Sequence, residues 1–375
     1  MKVLILHNRY RVTGGEERAV ELHTRALHDA GVEHRVLDRD SAEAGRARAA
    51  VALLRGGESP GEVAGAAREL GADVVHCHNM QPLFGPRALA AARAEGARVV
   101  LHLHNFRLFC AIGVAFRDGA PCFRCRGGNT LPGLALNCRG SVPEAAAYAA
   151  ALARQLPRVL DAVDRFVTPS TWAAGQLAAL GVPAERIVAL PHYLPAAERA
   201  GSSRADTGDY ALAAGRLAAE KGLETAVEAA AIAGVPLKIA GDGPLRPALR
   251  RLIGARRAPV ELLGRVDGRE LRRLRRGAAL FAAPTRGSET FGLAALEAMG
   301  AGVPVVAARA GALPELVGEE RCVPRDDPAA LAAAMRALWE DPDRRLAEGE
   351  ALLARARERF DQERYTRNLL ALYAG

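Results

Sequence analysis

The chain has 375 residues, half of them hydrophobic and 5% aromatic, with 51 basic and 43 acidic side chains for a net charge of +8. That length corresponds to two or three domains with buried cores, and a near-balanced charge at 25% charged residues excludes global disorder. No apolar run approaches the ~20 residues of a membrane span, and six cysteines are too few for a secreted disulfide scaffold, leaving metal binding, catalysis or burial to explain them.

MKVLILHNR opens the chain with an apolar run too short for a signal-peptide core, so it reads as a buried strand and the protein as cytoplasmic. Gly14 and Gly15 follow. DVVHCH at 73–78, RVVLHLH at 98–104 and RFVTPS at 165–170 alternate with Ala- and Arg-rich helical stretches, the βαβ rhythm of a parallel sheet covered on both faces. His76 and His78 alternate with apolar residues, which is read as leaving at most one of them for a ligand. His102 reads as packing, and His104 as either a satisfied core histidine or an active-site group. Just beyond it, Cys110, Cys122, Cys125 and Cys138 form C-x11-C-x2-C-x12-C in a Gly- and Arg-rich loop. Such a set can supply a closed tetrahedral zinc site that staples the loop, with reduced thiols or a disulfide as the alternatives; a cytoplasmic protein disfavours the disulfide. Cys77 and Cys322 read as ordinary buried residues.

After Pro191 a Pro-, Gly-, Ser- and Asp-rich stretch reads as a linker, and the rhythm restarts with YALAAGRL at 210–217, PLKIAGDG at 236–243, VELLG at 260–264, ALFAAP at 279–284 and VPVVAA at 303–308. The expected fold class is α/β with two doubly wound domains: 1–195 with a Cys-rich insertion at 105–141, a linker at 196–208, and 209–355, followed by a helix at 356–375 packing back toward the first domain. Ligands of such sheets bind outside the carboxyl ends of the strands, so two facing sheets would create a cleft.

Gly215, the pair Gly241 and Gly243, and Gly264 follow strands of the second half, as Gly15 follows the first strand. Any α/β protein needs glycines there for packing; four turns in equivalent positions favour a nucleotide site. Arg216 and Lys221, five residues apart in GRLAAEKG, could neutralise a diphosphate leaving group. Only Lys2, Lys221 and Lys238 are lysines, so a lysine retained here points to a task for a flexible ammonium.

Residues 245–286 hold 12 arginines against Glu261, Asp267 and Glu270, and account for the net positive charge. They would line the outer faces of two amphipathic helices. A solvated helix face is one reading and contact with an anionic membrane surface the other; with no aromatic residue interleaved, nucleic acid is disfavoured. In PTRGSETFGLAALEAMG, Glu289 lies on a loop after a strand and Glu297 is expected about two turns into the next helix. Between them the N–H groups of Thr290, Phe291, Gly292 and Leu293 offer a positive helix end to a phosphate. This suits a sugar nucleotide.

The sequence resembles a retaining glycosyltransferase of the GT-B fold, family 4, over nearly the whole chain. GGEER at 14–18 resembles the N-terminal glycine loop, VVHCHN and LHLHNFRLFC the first-domain histidine strands, GRLAAEKG the diphosphate motif, and Glu289 to Glu297 the E-x7-E signature. The resemblance implies two Rossmann-like domains facing across a cleft. It also implies transfer of a hexose-type sugar from a nucleoside-diphosphate sugar to a hydroxyl acceptor by a metal-independent front-face mechanism, with no catalytic cofactor. Arg216 and Lys221 would bind the diphosphate, Glu289 the sugar hydroxyls, Glu297 the ribose, Gly15 the phosphate side and His104 the donor sugar. Thr290 stands where many members have Gly, beside the sugar. A sugar-nucleotide epimerase and a non-catalytic donor-binding or peripheral membrane protein are the alternatives; the absence of Gly-x-Gly-x-x-Gly after the first strand speaks against a dehydrogenase.

Overall fold

A computed structural model describes residues 1–9 and 14–375. The chain forms two compact units, one of residues 1–115, 122–192 and 365–375, the other of 116–121 and 193–364. The strands of the first are β1 (Lys2–Arg9), β2 (Glu33–Asp40), β3 (Val74–Asn79) and β4 (Arg98–His102), then, after a short hairpin of β5 (Phe116–Arg117) and β6 (Ala120–Pro121) that groups with the second unit, β7 (Arg165–Thr168) and β8 (Ile187–Ala189). They form a parallel sheet in the order β2-β1-β3-β4-β7-β8. The order reverses between β1 and β3.

Strands buried on both faces read as continuous apolar runs, and Val3, Leu4, Ile5 and Leu6 of β1 have no exposed surface. Each side chain of that size removed from water contributes roughly 1.5–3 kcal/mol. Because side chains alternate along a strand, the core built on Leu4, Leu6, Val75, Cys77, Val99 and Leu101 takes one face of this sheet. His76, His78 and His102 therefore share the other.

The second unit repeats the plan with β9 (Ala211–Ala214), β10 (Leu237–Ala240), β11 (Val260–Gly264), β12 (Leu280–Ala283), β13 (Val305–Ala308) and β14 (Cys322–Val323). These are parallel in the order β11-β10-β9-β12-β13-β14, with the reversal between β9 and β12. Leu212, Phe281 and Ala307 pack into a core on one face, and Ala211, Ala213, Leu280 and Val306 into a second core on the other. The arginine-rich segment forms the helices Arg246–Arg256 and Gly268–Arg276. Most of its arginines are exposed, as expected, but Arg275 is buried. The C-terminal region is two helices, Pro342–Arg359 and Gln362–Ala374. Among the described residues, no helix is long and apolar enough to cross a membrane.

Candidate functional site

In an open parallel sheet the loops after the two strands flanking the reversal splay apart and leave a crevice. In the second unit those strands are β9 and β12, and every charged residue singled out in its motifs follows one of them or lies on the helix after it. Arg216 and Lys221 follow β9, Lys221 in the short 3-10 turn Ala219–Lys221. Glu289 follows β12, and the helix Leu293–Gly300 begins four residues later. The loops are tied together by the Glu220 carbonyl, which accepts the N–H groups of Arg286 and Gly287 at 2.9 and 2.8 Å. The Glu289 carbonyl accepts the Ala312 N–H at 2.8 Å, anchoring its loop to the segment after β13. Across the crevice the Lys221 ammonium donates to Glu289 Oε2 at 2.7 Å, the side chains being 33% and 17% exposed. The half-exposed Arg216 guanidinium pairs with Glu220.

Glu297 is the fifth residue of its helix, one turn nearer the N-terminus than expected, and its carboxylate pairs with buried Arg275. Phe291 is a core residue, packed edge-on against Phe360 at 5.7 Å between centroids, so only its backbone is available to a ligand. The glycines divide by surroundings. A Cβ on Gly241 would lie 1.8 Å from the Gly215 carbonyl oxygen, and one on Gly243 2.5 Å from that of Leu217, so packing alone requires both. At Gly215 no described atom lies within 4 Å of that position, which leaves its backbone open to close approach. Gly264 ends β11 with φ +77 and accepts the Gly241 N–H. In the first unit Gly15 begins the helix Gly15–Asp29, and the Gly14 N–H donates to Glu17 Oε2 at 2.7 Å.

The histidines depart from expectation. His76 and His78 lie two residues apart on one strand and so point to the same side, and both belong, with His102, to a buried cluster. His102 and His104 stack at 4.2 Å between centroids, His78 and His104 at 5.2 Å, and His192 stacks on both His102 and His104. His23 joins from the helix Gly15–Asp29 and Tyr373 from the C-terminal helix; neither was singled out in the sequence. Burial is the main reason these rings resist protonation: it pulls His23 down to about 3 and His192 to about 4, and holds His76, His78, His102 and His104 well below the usual imidazole range. Burial also raises the Tyr373 hydroxyl far above the usual phenol range. The cluster is neutral at neutral pH.

The four cysteines of the insertion are partly buried. Partial burial raises the Cys125 thiol, with further upward pushes from Cys110, Cys138 and Cys122, so the four share a neighbourhood. Sulfurs around one zinc lie ~3.8 Å apart. Among the described residues the groups with ligand atoms within 4.8 Å of one another are two histidine trios, His23, His76, His78 and His78, His102, His104, neither of which includes a cysteine. The thiols as arranged do not form a closed site.

Two family models match: a glycosyl transferase 4-like domain over residues 14–192 and glycosyl transferases group 1 over 208–341, most of the chain between them. The chain belongs to the group 1 glycosyl transferases. Among the relatives of this group 1 chain is a GDP-mannose-dependent alpha-(1-6)-phosphatidylinositol dimannoside mannosyltransferase of Mycobacterium tuberculosis, 37% identical over 136 residues, 35% of each protein. Another is a D-inositol 3-phosphate glycosyltransferase of Corynebacterium kroppenstedtii, 42% identical over 101 residues, 26% of this chain and 22% of the relative. The match thus spans about a third or less of these proteins. Similar solved structures are HepE from Anabaena with UDP and glucose (TM-score 0.71, 17% identity, all of both chains) and sucrose-phosphate synthase from Thermosynechococcus elongatus (TM-score 0.72, 19% identity, 100% of this chain and 98% of that one). The fold is GT-B.

Proposed function

We propose that this group 1 chain is a retaining glycosyltransferase that moves a hexose-type sugar from a nucleoside-diphosphate sugar to a hydroxyl of a glycan, lipid-linked or small-molecule acceptor. The observation that carries the reading is the Lys221–Glu289 pair across the crevice between β9 and β12. A diphosphate takes the place of the Glu289 carboxylate on the ammonium, with Arg216 as the second cation, and the released carboxylate accepts hydrogen bonds from sugar hydroxyls. The N–H groups of Thr290, Phe291, Gly292 and Leu293, with the open backbone at Gly215, meet the phosphates, and Glu297 meets the ribose. Gly15 and His104 of the first unit are assigned by family resemblance to the phosphate side and the donor sugar.

In the transfer step the bond from the anomeric carbon to the diphosphate oxygen breaks and a bond to the acceptor oxygen forms on the same face. The acceptor proton leaves with the departing phosphate. Catalysis is positioning plus stabilisation of the leaving charge by Lys221, Arg216 and the helix end. Relatives named for GDP-mannose and for bound UDP and glucose indicate the donors to try first.

The test is a nucleotide-sugar panel read by thermal stabilisation and slow donor hydrolysis, followed by the product's anomeric configuration by NMR. Lys221→Ala and Glu289→Ala are each expected to lower turnover about 100-fold or more. Donor converted to another sugar nucleotide without an acceptor would indicate an epimerase, and turnover indifferent to both substitutions would sink the assignment of these residues. Zinc at Cys110, Cys122, Cys125 and Cys138 is a separate proposal; its binding would have to draw the sulfurs together. One zinc per purified chain supports it, and four titratable thiols without zinc refute it.

A further inference from the structure

A buried polar side chain with nothing to bond costs stability, so each one in a folded protein calls for a reason. Most such atoms in this chain are one part of a larger group, an arginine Nε or a single carboxylate oxygen. Among the described residues, three have every polar side-chain atom buried and without a hydrogen-bond partner: His7, Gln81 and Ser288. All three adjoin a reversal of strand order, where open parallel sheets bind ligands. Ser288 precedes Glu289 in the loop after β12, at the reversal of the second unit. His7 lies near the carboxyl end of β1 and Gln81 just beyond β3, the two strands that flank the reversal of the first unit.

The polar residues beside His7 and Gln81 are bonded. His7 stands opposite Asn79 in the ladder between β1 and β3. Asn79 Nδ2 donates to the Asn8 carbonyl at 2.7 Å, Asn8 Oδ1 accepts the Leu83 N–H at 3.0 Å, and Asn8 Nδ2 donates to Ser41 Oγ. The Gln81 N–H donates to Asn79 Oδ1 at 3.3 Å, so its backbone is anchored while its side-chain amide is left over. His7 and Gln81 are each 4% exposed. The charges that reach His7 are those of Glu17, Asp38 and Arg9. Arg9 pairs with Asp38 at 2.7 Å and Glu17 accepts the Gly14 N–H, while burial outweighs all three and lowers the imidazole below its usual range. Neither side chain carries a full charge at neutral pH.

That pair has a definite chemical complement. A neutral imidazole offers one N–H and one lone pair, and a primary amide two N–H bonds and a carbonyl. A phosphate or carboxylate only accepts, and would leave the imidazole lone pair and the amide oxygen unmet. An alkyl chain would leave every atom unmet. A hydroxyl both donates and accepts, so a ring bearing several of them satisfies both side chains.

We propose that His7 and Gln81 form the acceptor subsite of the first unit, and that it takes an uncharged polyhydroxyl ring, a sugar or a cyclitol. That the bound ring is an acceptor rests on the transferase reading above; that the site binds it rests on the two side chains.

The test is NMR titration of the full chain, labelled with 15N-histidine and free of donor, with the methyl glycosides of glucose, galactose and mannose and with myo-inositol. The His7 ring signal is assigned through the backbone, so this arm needs no variant to fold. At least one compound is expected to move it, a glycoside marking a sugar site and myo-inositol a cyclitol site. Gln81→Met is expected to weaken the same titration about 10-fold or more with its melting midpoint unchanged. A His7 signal unmoved by all of them, or moved by inorganic phosphate instead, would overturn the proposal, as would Gln81→Met binding like the wild type. Transfer separates this proposal from the one it rests on. A ring that binds at His7 and is never glycosylated, with any donor the chain hydrolyses, keeps the subsite and removes the acceptor role. Transfer that is lost in Lys221→Ala, without any response at His7, keeps the transferase and removes the subsite.

Discussion

Arg275 is one of 12 arginines in a segment that reads as a solvated face, yet it is buried against Glu297 of the helix Leu293–Gly300. Both side chains are mostly removed from water, at 8% and 17% exposure, so deleting one partner strands a charge. Arg275→Met is expected to destabilise the second unit by about 3 kcal/mol, measured by urea unfolding, and to weaken donor binding because Glu297 loses the contact that orients it. Unchanged stability would place the pair in water. Composition could not reveal this, because periodicity marks Leu271 and Leu274 as inward and says nothing of which neighbouring arginine finds a carboxylate on another helix. The histidines are a different case. Alternation along β3 places His76 and His78 on one face from side-chain period alone, whereas His102 joins them only through the pairing of β3 with β4. The partners His23 and Tyr373 were not legible, since they arrive from helices hundreds of residues apart in the chain.

At the scale of elements, the strands and the turns after them were largely readable, since parallel strands buried on both faces are written as unbroken apolar runs bounded by glycine. The motif GRLAAEKG and the glutamate pair were recognisable as chemistry. Their meeting was not, because strand order is absent from local pattern: only the reversal between β9 and β12 makes neighbours of loops some seventy residues apart. The helix that follows Glu289 depends on Gly292, at φ +101, where a Cβ would lie 2.8 Å from Leu313 Cδ2. Gly292→Ala is expected to cost about 1–3 kcal/mol, seen as a lower urea midpoint, and to reduce kcat/KM by turning the helix N–H groups away from the phosphate. Wild-type turnover in that variant would show that the helix end does not touch the donor.

At the scale of the whole molecule, all nine histidines lie within residues 1–192, and so in the first unit. Rings held neutral by burial, such as His23 at about 3, bind no proton in the folded state until far below pH 6.5, whereas unfolded imidazoles take one there. The unfolded state then binds more protons, and stability falls as pH drops below 6.5 by about 1.4 kcal/mol per pH unit for each such ring. Each unit holds one of the two tryptophans, Trp172 in the first and Trp339 in the second. Between pH 7 and 5 the melting midpoint reported by Trp172 in Trp339→Phe is expected to fall by several degrees while that of Trp339 in Trp172→Phe holds. Parallel falls would disprove the assignment. The last stretch of chain has a consequence for biosynthesis. Residues 365–375 belong to the first unit although 193–364 build the second. At translation rates of roughly 5–20 residues per second, the ribosome spends roughly ten to thirty seconds on the intervening segment before Tyr373 exists. Throughout that interval the nascent first unit holds its histidines without the hydroxyl that joins His23 to His76.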